Sequence, residues 1–314
     1  MQPDQNRRPL NNLKFWLGPA RADFLWMDFS YVLLGVGAAM TTAGRAIHLG
    51  YVLVALVGAL AAHVAVNALN EYFDFRSGLD LASERTPFSG GSGALREHPE
   101  AARGALVLGL TALAVAAILG LVLVWSVGWG LLPLGILGLV TIVLYTPWIT
   151  HHPIPCLVAC GLGFGLMVAG VSYVATGHYT LAASLCALAM FFQGNALLLL
   201  NQYPDVEADR KAGRRHLPIV WGRRRSSVVY GFLLMGVYAS VLLGVVLRIL
   251  PWPALLLFVT FPLAVVTVAG VRRSADDLSK LVRYLGYNAI LNLANPALTG
   301  LGLVLAALLE IRAG

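Results

Sequence analysis

Nine apolar runs, at roughly 26–44, 49–70, 103–125, 128–147, 155–176, 180–200, 226–248, 251–270 and 284–309, alternate with polar breaks along the chain. Each is long enough to cross a hydrocarbon core of about 30 Å as a helix. The pattern predicts an all-α fold: a polytopic membrane bundle of nine transmembrane helices. It forms one domain over 26–314, after an N-terminal arm at 1–25. The arm, "MQPDQNRRPLNNLKFWLGPARADF", is polar and lacks a compact apolar core, so the first run is expected to stay in the mature protein.

Composition supports a membrane protein. The 314 residues are 58% hydrophobic and 12% charged, half the charge of an ordinary soluble domain, which is about 25%. The basic residues then orient the bundle. Of the 22 Lys and Arg, 19 fall in the arm and in the connections after the second, sixth and eighth runs, which an odd number of spans puts on one side. The positive-inside rule makes that side cytoplasmic. The net charge of +7 therefore reflects topology and attraction to anionic membrane lipid, and no nucleic acid partner is expected. Cys156, Cys160 and Cys186 lie in or beside apolar runs and read as small buried residues, too few for a disulfide framework.

The carboxylates carry the chemistry. Glu71, Asp74, Asp80 and Glu84 follow the second run, in "NALNEYFDFRSGLD" and beyond; Asp205, Glu207 and Asp209 follow the sixth, in "LLLLNQYPDVEADRKAGRRHLP". Residues four apart share a helix face. Asn70 and Asp74 form such a pair, with His63 and Asn67 continuing the stripe into the membrane, and Asn201, Asp205 and Asp209 form another. Two acidic stripes on one side of the membrane would repel each other unless something positive lay between them. Hard oxygen ligands suit Mg²⁺, which takes one or two carboxylates and completes its shell with water and phosphate oxygens. Arg76, Arg85, Arg210, Lys211, Arg214 and Arg215 could neutralise the remaining phosphate charge, although each arginine could equally serve topology alone. A metal and cations beside an apolar cavity describe a site for a lipid diphosphate.

These paired motifs resemble the UbiA superfamily of intramembrane prenyltransferases. "NEYFDFRSGLD" is similar to the menaquinone-type branch (1,4-dihydroxy-2-naphthoate polyprenyltransferase-like), with Asn70, Asp74 and Asp80 at matching spacing and Glu71 where an Asp is usual. "NQYPDVEADRKAGRRHL" places Asn201, Asp205, Asp209 and Lys211 in family positions, and "RTPFSGGSGAL" and "GLGFGLMVAGVSYVATG" are also similar. The resemblance implies a helical bundle around a central cavity in a bacterial or archaeal cytoplasmic membrane, its site facing the cytoplasm. It implies two Mg²⁺ ions gripping the diphosphate of an isoprenyl donor, whose allylic carbon alkylates an aromatic acceptor of quinone biosynthesis. The metal ligands it implies are Asp74, Asp80, Asp205 and Asp209, with Asn70 and Asn201 as ligands or orienters. Arg85, Lys211 and Arg215, then Arg210 and Arg76, are its diphosphate contacts. One departure stands out: "YTPWITHHPIPC" lacks the Lys or Arg that many relatives carry after the fourth span, leaving His151 and His152 as substitutes or as solvated loop residues.

Polar residues inside the runs are candidates for the second substrate. His63, Asn67 and Asn292 are the acceptor candidates, the last within an Asn288, Asn292, Asn295 stripe. For His63 and for the stripe, interhelical hydrogen bonding is the alternative. Two other functions compete: a terpene cyclase of the same fold, needing no acceptor, and an ion-coupled transporter. Transporters bury coupling carboxylates near the midplane, and no run carries Asp or Glu at its centre.

Overall fold

A computed structural model describes residues 18–44, 46–79, 86 and 90–310. Asp80 and Arg85 lie outside these residues. The long helices are α1 (Ala22–Ala43), α2 (Leu49–Arg76), α3 (Ala102–Val127), α4 (Leu132–Leu144), α5 (Pro153–Thr176), α6 (Leu181–Asn201), α7 (Arg223–Val246), α8 (Phe261–Arg273) and α9 (Leu278–Leu308). No strand occurs among the described residues.

Every predicted apolar run has become a helix, but not every helix is a full span. Among the described residues seven are long and apolar enough to cross a membrane, α8 counting together with the 3-10 stretch Trp252–Thr260 before it. An eighth is reached only if Gly18–Phe24 and Trp26–Ala43, bent by 52° within the first turn of α1, are one span. The remaining segment, Trp129–Leu144, is shorter. The outer surface fits lipid. Every tryptophan among the described residues is at least 47% exposed, and they gather near helix ends: Trp26, Trp148 and Trp221 towards one face of the bundle, Trp125, Trp129 and Trp252 towards the other. Such belts mark the two membrane interfaces, where an amphipathic ring is most stable.

The bundle packs unevenly. Helices α1, α5, α6, α7 and α9 share the main apolar core, with Tyr31, Val168, Met190, Leu234 and Leu285 in it. Helix α6 sits centrally, against α5, α7, α1 and α9, while α2 packs mainly on α3. Between lipid-like surfaces the hydrophobic effect gives little association, so close approach and interhelical hydrogen bonds must hold the helices together. Both are present. An added Cβ on Gly194 would meet Gly161 Cα at 2.9 Å and Cys160 O at 3.0 Å, so α5 and α6 touch backbone to backbone. Gly161 N–H also donates to Asn195 Oδ1 at 2.6 Å.

The asparagine stripe of α9 belongs to the same category. Tyr230 donates to Asn288 Oδ1 at 3.1 Å, Tyr31 to Asn292 Oδ1 at 2.7 Å, and Asn295 Nδ2 to Gln193 Oε1 at 2.6 Å. Asn292 is fully buried between helices. Helix-to-helix bonding, the alternative to an acceptor role, is therefore what the geometry of Asn292 displays.

A leucine at Gly194 would force α5 from α6. Overpacking of this kind costs about 1–3 kcal/mol, so Gly194→Leu is expected to lower the thermal unfolding midpoint in detergent clearly. An added Cβ at Gly120 meets open space, and Gly120→Leu is expected to leave the midpoint almost unchanged.

Candidate active site

The loosely packed half of the bundle encloses a cavity of about 590 Å³ between α2, α3, α4, α5 and α6. Leu121 on α3 and Ile136 on α4 line it and are each more than half exposed, so it is open sideways between those helices. Most of its wall is Leu, Val, Ala and Gly. At one end the lining changes abruptly to Arg21, Asn70, Asp74, Asn201, Asp205, Asp209, Arg214 and His216.

Two helix ends create that polar end. Helix α2 carries Asn70 and Asp74 one turn apart, and Asn70 Nδ2 donates to Asp74 Oδ2 at 3.0 Å and to Thr146 Oγ1 at 3.1 Å. Helix α6 ends at Asn201, and a short helix, Val206–Lys211, follows Asp205 and carries Asp209. Gly213 stops this short helix with φ 81°. Gly213 N–H bonds to Arg210 O at 3.1 Å and Arg214 N–H to Asp209 O at 2.9 Å, the two bonds of a Schellman ending. That turn folds Arg214 back beneath the helix it has just left.

Arg214 consequently sits between the two acidic stripes. Its Nη1 donates to Asp209 Oδ1 at 2.9 Å, and its Nη2 is ion-paired with Asp74 Oδ1. Burial works against the guanidinium charge, but Asp74 and Asp209 more than offset it and hold the group more firmly protonated than usual. On the other side of Asp209, His216 Nε2 lies 2.7 Å from Oδ2. The positive element required between like-charged stripes is thus partly a protein side chain.

Not every group here is satisfied. Asp205 Oδ1 and His216 Nδ1 are buried without a hydrogen-bond partner. Burial, then the charge of Asp209, pushes the Asp205 carboxyl up to about 7. A buried carboxylate oxygen without a partner, beside hard oxygen donors on Asn70, Asp74, Asn201 and Asp209, fits a divalent cation. No group of three or more His, Cys, Asp or Glu is preassembled as a metal site among the described residues. Mg²⁺ does not require one, because it takes few protein ligands and fills its shell with water and phosphate.

The other sequence candidates divide sharply. His63 and Asn67 line the cavity further from its polar end, and Asn67 Nδ2 donates to Ala20 O at 3.1 Å. Arg76, Arg210, Lys211 and Arg215 are exposed and off the cavity wall, with Arg210 paired to Glu207 at 3.3 Å. His152 is exposed and its Nδ1 lies 2.9 Å from Trp148 O; neither it nor His151 lines the cavity. Glu71 is buried and pairs with Arg21 at 3.4 Å, while Ser92 donates to it from both backbone and side chain. Glu71 therefore anchors the glycine-rich segment 90–93 under the site; Gly90 N–H in turn bonds to Asp205.

Spacing does not single out His216 or Arg21, and it offers Arg214 only as one of six cations near the acidic motifs. For Arg214 a signal existed: a glycine two residues past a short helix marks the C′ position, so the next residue turns back onto the helix end. Asp28 was also missed. It lies two turns into α1, is fully buried, and its carboxylate oxygens are 2.9 and 3.1 Å from His63 Nδ1.

Residues 31–295 match the UbiA prenyltransferase family, and the chain belongs to that family. It is a multi-pass integral membrane prenyltransferase. It is 28% identical over 271 residues to the 1,4-dihydroxy-2-naphthoate octaprenyltransferase of Bacillus subtilis (strain 168), covering 83% of each chain. Its fold is similar to that of a digeranylgeranylglyceryl phosphate synthase, with TM-score 0.63, 16% identity and coverage of 94% and 98% of the two chains. It is also similar to a UbiA homologue from Archaeoglobus fulgidus bound to GPP and Mg²⁺, with TM-score 0.59, 15% identity and coverage of 92% and 99%.

The raised carboxyl of Asp205 has a consequence for stability without metal. A carboxyl raised from 3.8 to about 7 in the folded state binds its proton more tightly folded than unfolded. Its contribution is complete below about pH 4 and is lost as pH rises through about 7. In EDTA, the thermal midpoint is expected to fall between about pH 4 and 7, and to fall less in Asp205→Asn.

Proposed function

We propose that this enzyme transfers an isoprenyl chain from a polyprenyl diphosphate to an aromatic, quinone-precursor acceptor within the membrane, with Mg²⁺ as cofactor. The observation that carries the reading is the cavity itself: a long apolar space, open to lipid, ending in carboxylates from two separate helix ends bridged by one arginine. An isoprenyl diphosphate has the same polarity, a long hydrocarbon with an anionic head. The relationship to a naphthoate prenyltransferase over most of both chains supports the aromatic acceptor.

Asp74, Asp205 and Asp209, with Asn70 and Asn201, would hold Mg²⁺, and two ions would share these ligands with Asp80. Bound there, the metal would neutralise the diphosphate and act as a Lewis acid on its leaving oxygen. The chain's own residues do the rest. Arg214 has five N–H donors, of which the carboxylates use only part, so it can also donate to phosphate oxygens. Arg21 on the same wall adds positive charge to the leaving group. The apolar walls keep water from the allylic carbon as its C–O bond loosens. Lys211, Arg210, Arg215, Arg76 and Arg85 contribute to the approach of the anionic donor through their field. The basic connections support a cytoplasmic position for this end and for the N-terminus.

Membranes incubated with labelled polyprenyl diphosphates, Mg²⁺ and candidate phenolic acceptors test the reading. A prenylated aromatic product, abolished by EDTA, is the expected result. A hydrocarbon or alcohol as sole product would instead identify a cyclase. Asp74→Ala and Asp205→Ala are each expected to lower kcat at least about 100-fold, the usual cost of losing one electrostatic stabiliser. Arg214→Ala is expected to lower kcat/KM by a similar factor, whereas Lys211→Ala changes it by less than about tenfold.

A further inference from the structure

One buried charged group has no place in the diphosphate site. Asp28 is completely enclosed within α1, which is costly unless the charge is paired. Its partner is His63 on α2: Nδ1 lies 2.9 and 3.1 Å from the two carboxylate oxygens. Both atoms of the carboxylate thus face one ring nitrogen, which fixes the proton on Nδ1 and leaves Nε2 as the acceptor of the neutral ring. The ring forms part of the cavity wall, and Nε2 has no hydrogen bond among the described residues.

The ring is also held in place. Phe164 meets it edge-on, with centroids 6.0 Å apart, and Phe164 is stacked on Tyr31 at 4.2 Å. Tyr31 is in turn tied to Asn292 at 2.7 Å. Asp74 lies eleven positions after His63 on α2, about 16 Å along the helix axis. After the side chains, a metal and a diphosphate are subtracted, that interval leaves room for the allylic carbon and one aromatic ring. A carboxylate that orients a histidine, whose other nitrogen faces a substrate cavity, is the arrangement of a general base.

We infer that His63 is the base that accepts the phenolic proton of the acceptor, and that Asp28 is a positioning residue that sets its tautomer and stabilises the imidazolium. The inference rests on the aromatic-acceptor reading above. The O–H proton passes to Nε2 as the ring carbon forms its bond to donor C1. The C1–O bond breaks with its electron pair leaving on diphosphate. The alkylated ring, now a dienone, loses its ring hydrogen as a proton to the released diphosphate, or a ring carboxylate as carbon dioxide. Its carbonyl oxygen then regains a proton from Nε2, which leaves His63 neutral. The network Asn292–Tyr31–Phe164 acts behind this pair as support for the ring.

The test uses the full-length protein with two phenolic acceptors of one ring shape, the second fluorinated so that it is already ionised at the assay pH. His63→Gln is expected to lower kcat on the neutral phenol about 100-fold, and on the ionised one by less than about fivefold, because general-base help is needed only for the first. Asp28→Asn is expected to lose about tenfold on the neutral phenol with the same tolerance for the ionised one. Added imidazole should restore part of the activity of His63→Ala. Mg²⁺-dependent binding of a labelled donor, measured in parallel, should stay within about twofold of wild type. Equal losses on both phenols, no loss on either, or loss of donor binding in these variants would each overturn the assignment and make the pair structural. A wild type that binds donor yet prenylates neither phenol would overturn the acceptor reading, and the base with it.

Discussion

The site depends on one buried cation shared by carboxylates that are far apart in sequence. Asp74 ends α2 and Asp209 follows α6, and both would carry like charge into a low-dielectric pocket. Arg214 makes their approach possible. Removing one partner of a buried pair of this kind costs about 3–5 kcal/mol, because the remaining charge has neither water nor a counterion. Neighbouring bonds fix the same geometry from outside: Asn70 ties Asp74 to Thr146, and Arg215 N–H bonds to Thr150 O at 3.1 Å. The segment after α4, which carries no Lys or Arg, is thereby docked onto the loop that supplies the arginine.

This clamp works because the bundle is built in two unequal halves. Helices α1, α5, α6, α7 and α9 are held by glycine contacts and by the buried asparagine bonds of α9, so that half resists deformation. Helices α2 and α3 pack closely on each other but touch the first half less, and with α4 they leave a lipid-facing opening. A rigid wall carries α6 and its acidic extension, and a looser wall carries α2 and admits the isoprenyl chain. The same division separates chemistry along α2, with Asp74 at the ionic end and His63, backed by Asp28, in the apolar interior.

Much of this was legible in the sequence, and the exceptions have physical causes. Hydropathy located every long helix, because a lipid-facing helix must be apolar over its whole length. It could not tell that Trp129–Leu144 would be short or that the chain bends within the first turn of α1. The Asn-x-x-x-Asp spacing set Asn70 and Asp74 on one face of α2, since period decides which residues share a helix face; Asn201, Asp205 and Asp209 reach the same cavity end although α6 stops at Asn201 and a turn at 202–205 interrupts the expected stripe. The cations were harder. Arg210 and Lys211 lie on the exposed face of a one-and-a-half-turn helix, whereas Arg214 reaches the site through a left-handed glycine turn that no periodicity encodes. Asp28 drew no reading from the sequence because its depth depends on where α1 begins; the structure shows it fully buried and paired with His63.

The most direct test is diffraction from crystals grown with Mn²⁺ and an unreactive thio-analogue of a polyprenyl diphosphate, using the anomalous signal of manganese. The account predicts manganese beside Asp205, sharing ligands with Asp74 and Asp209, and the diphosphate within hydrogen-bond distance of Arg214, its chain running along the cavity between α2 and α4. Manganese or diphosphate located elsewhere, with Arg214 still closed on both carboxylates, would contradict it.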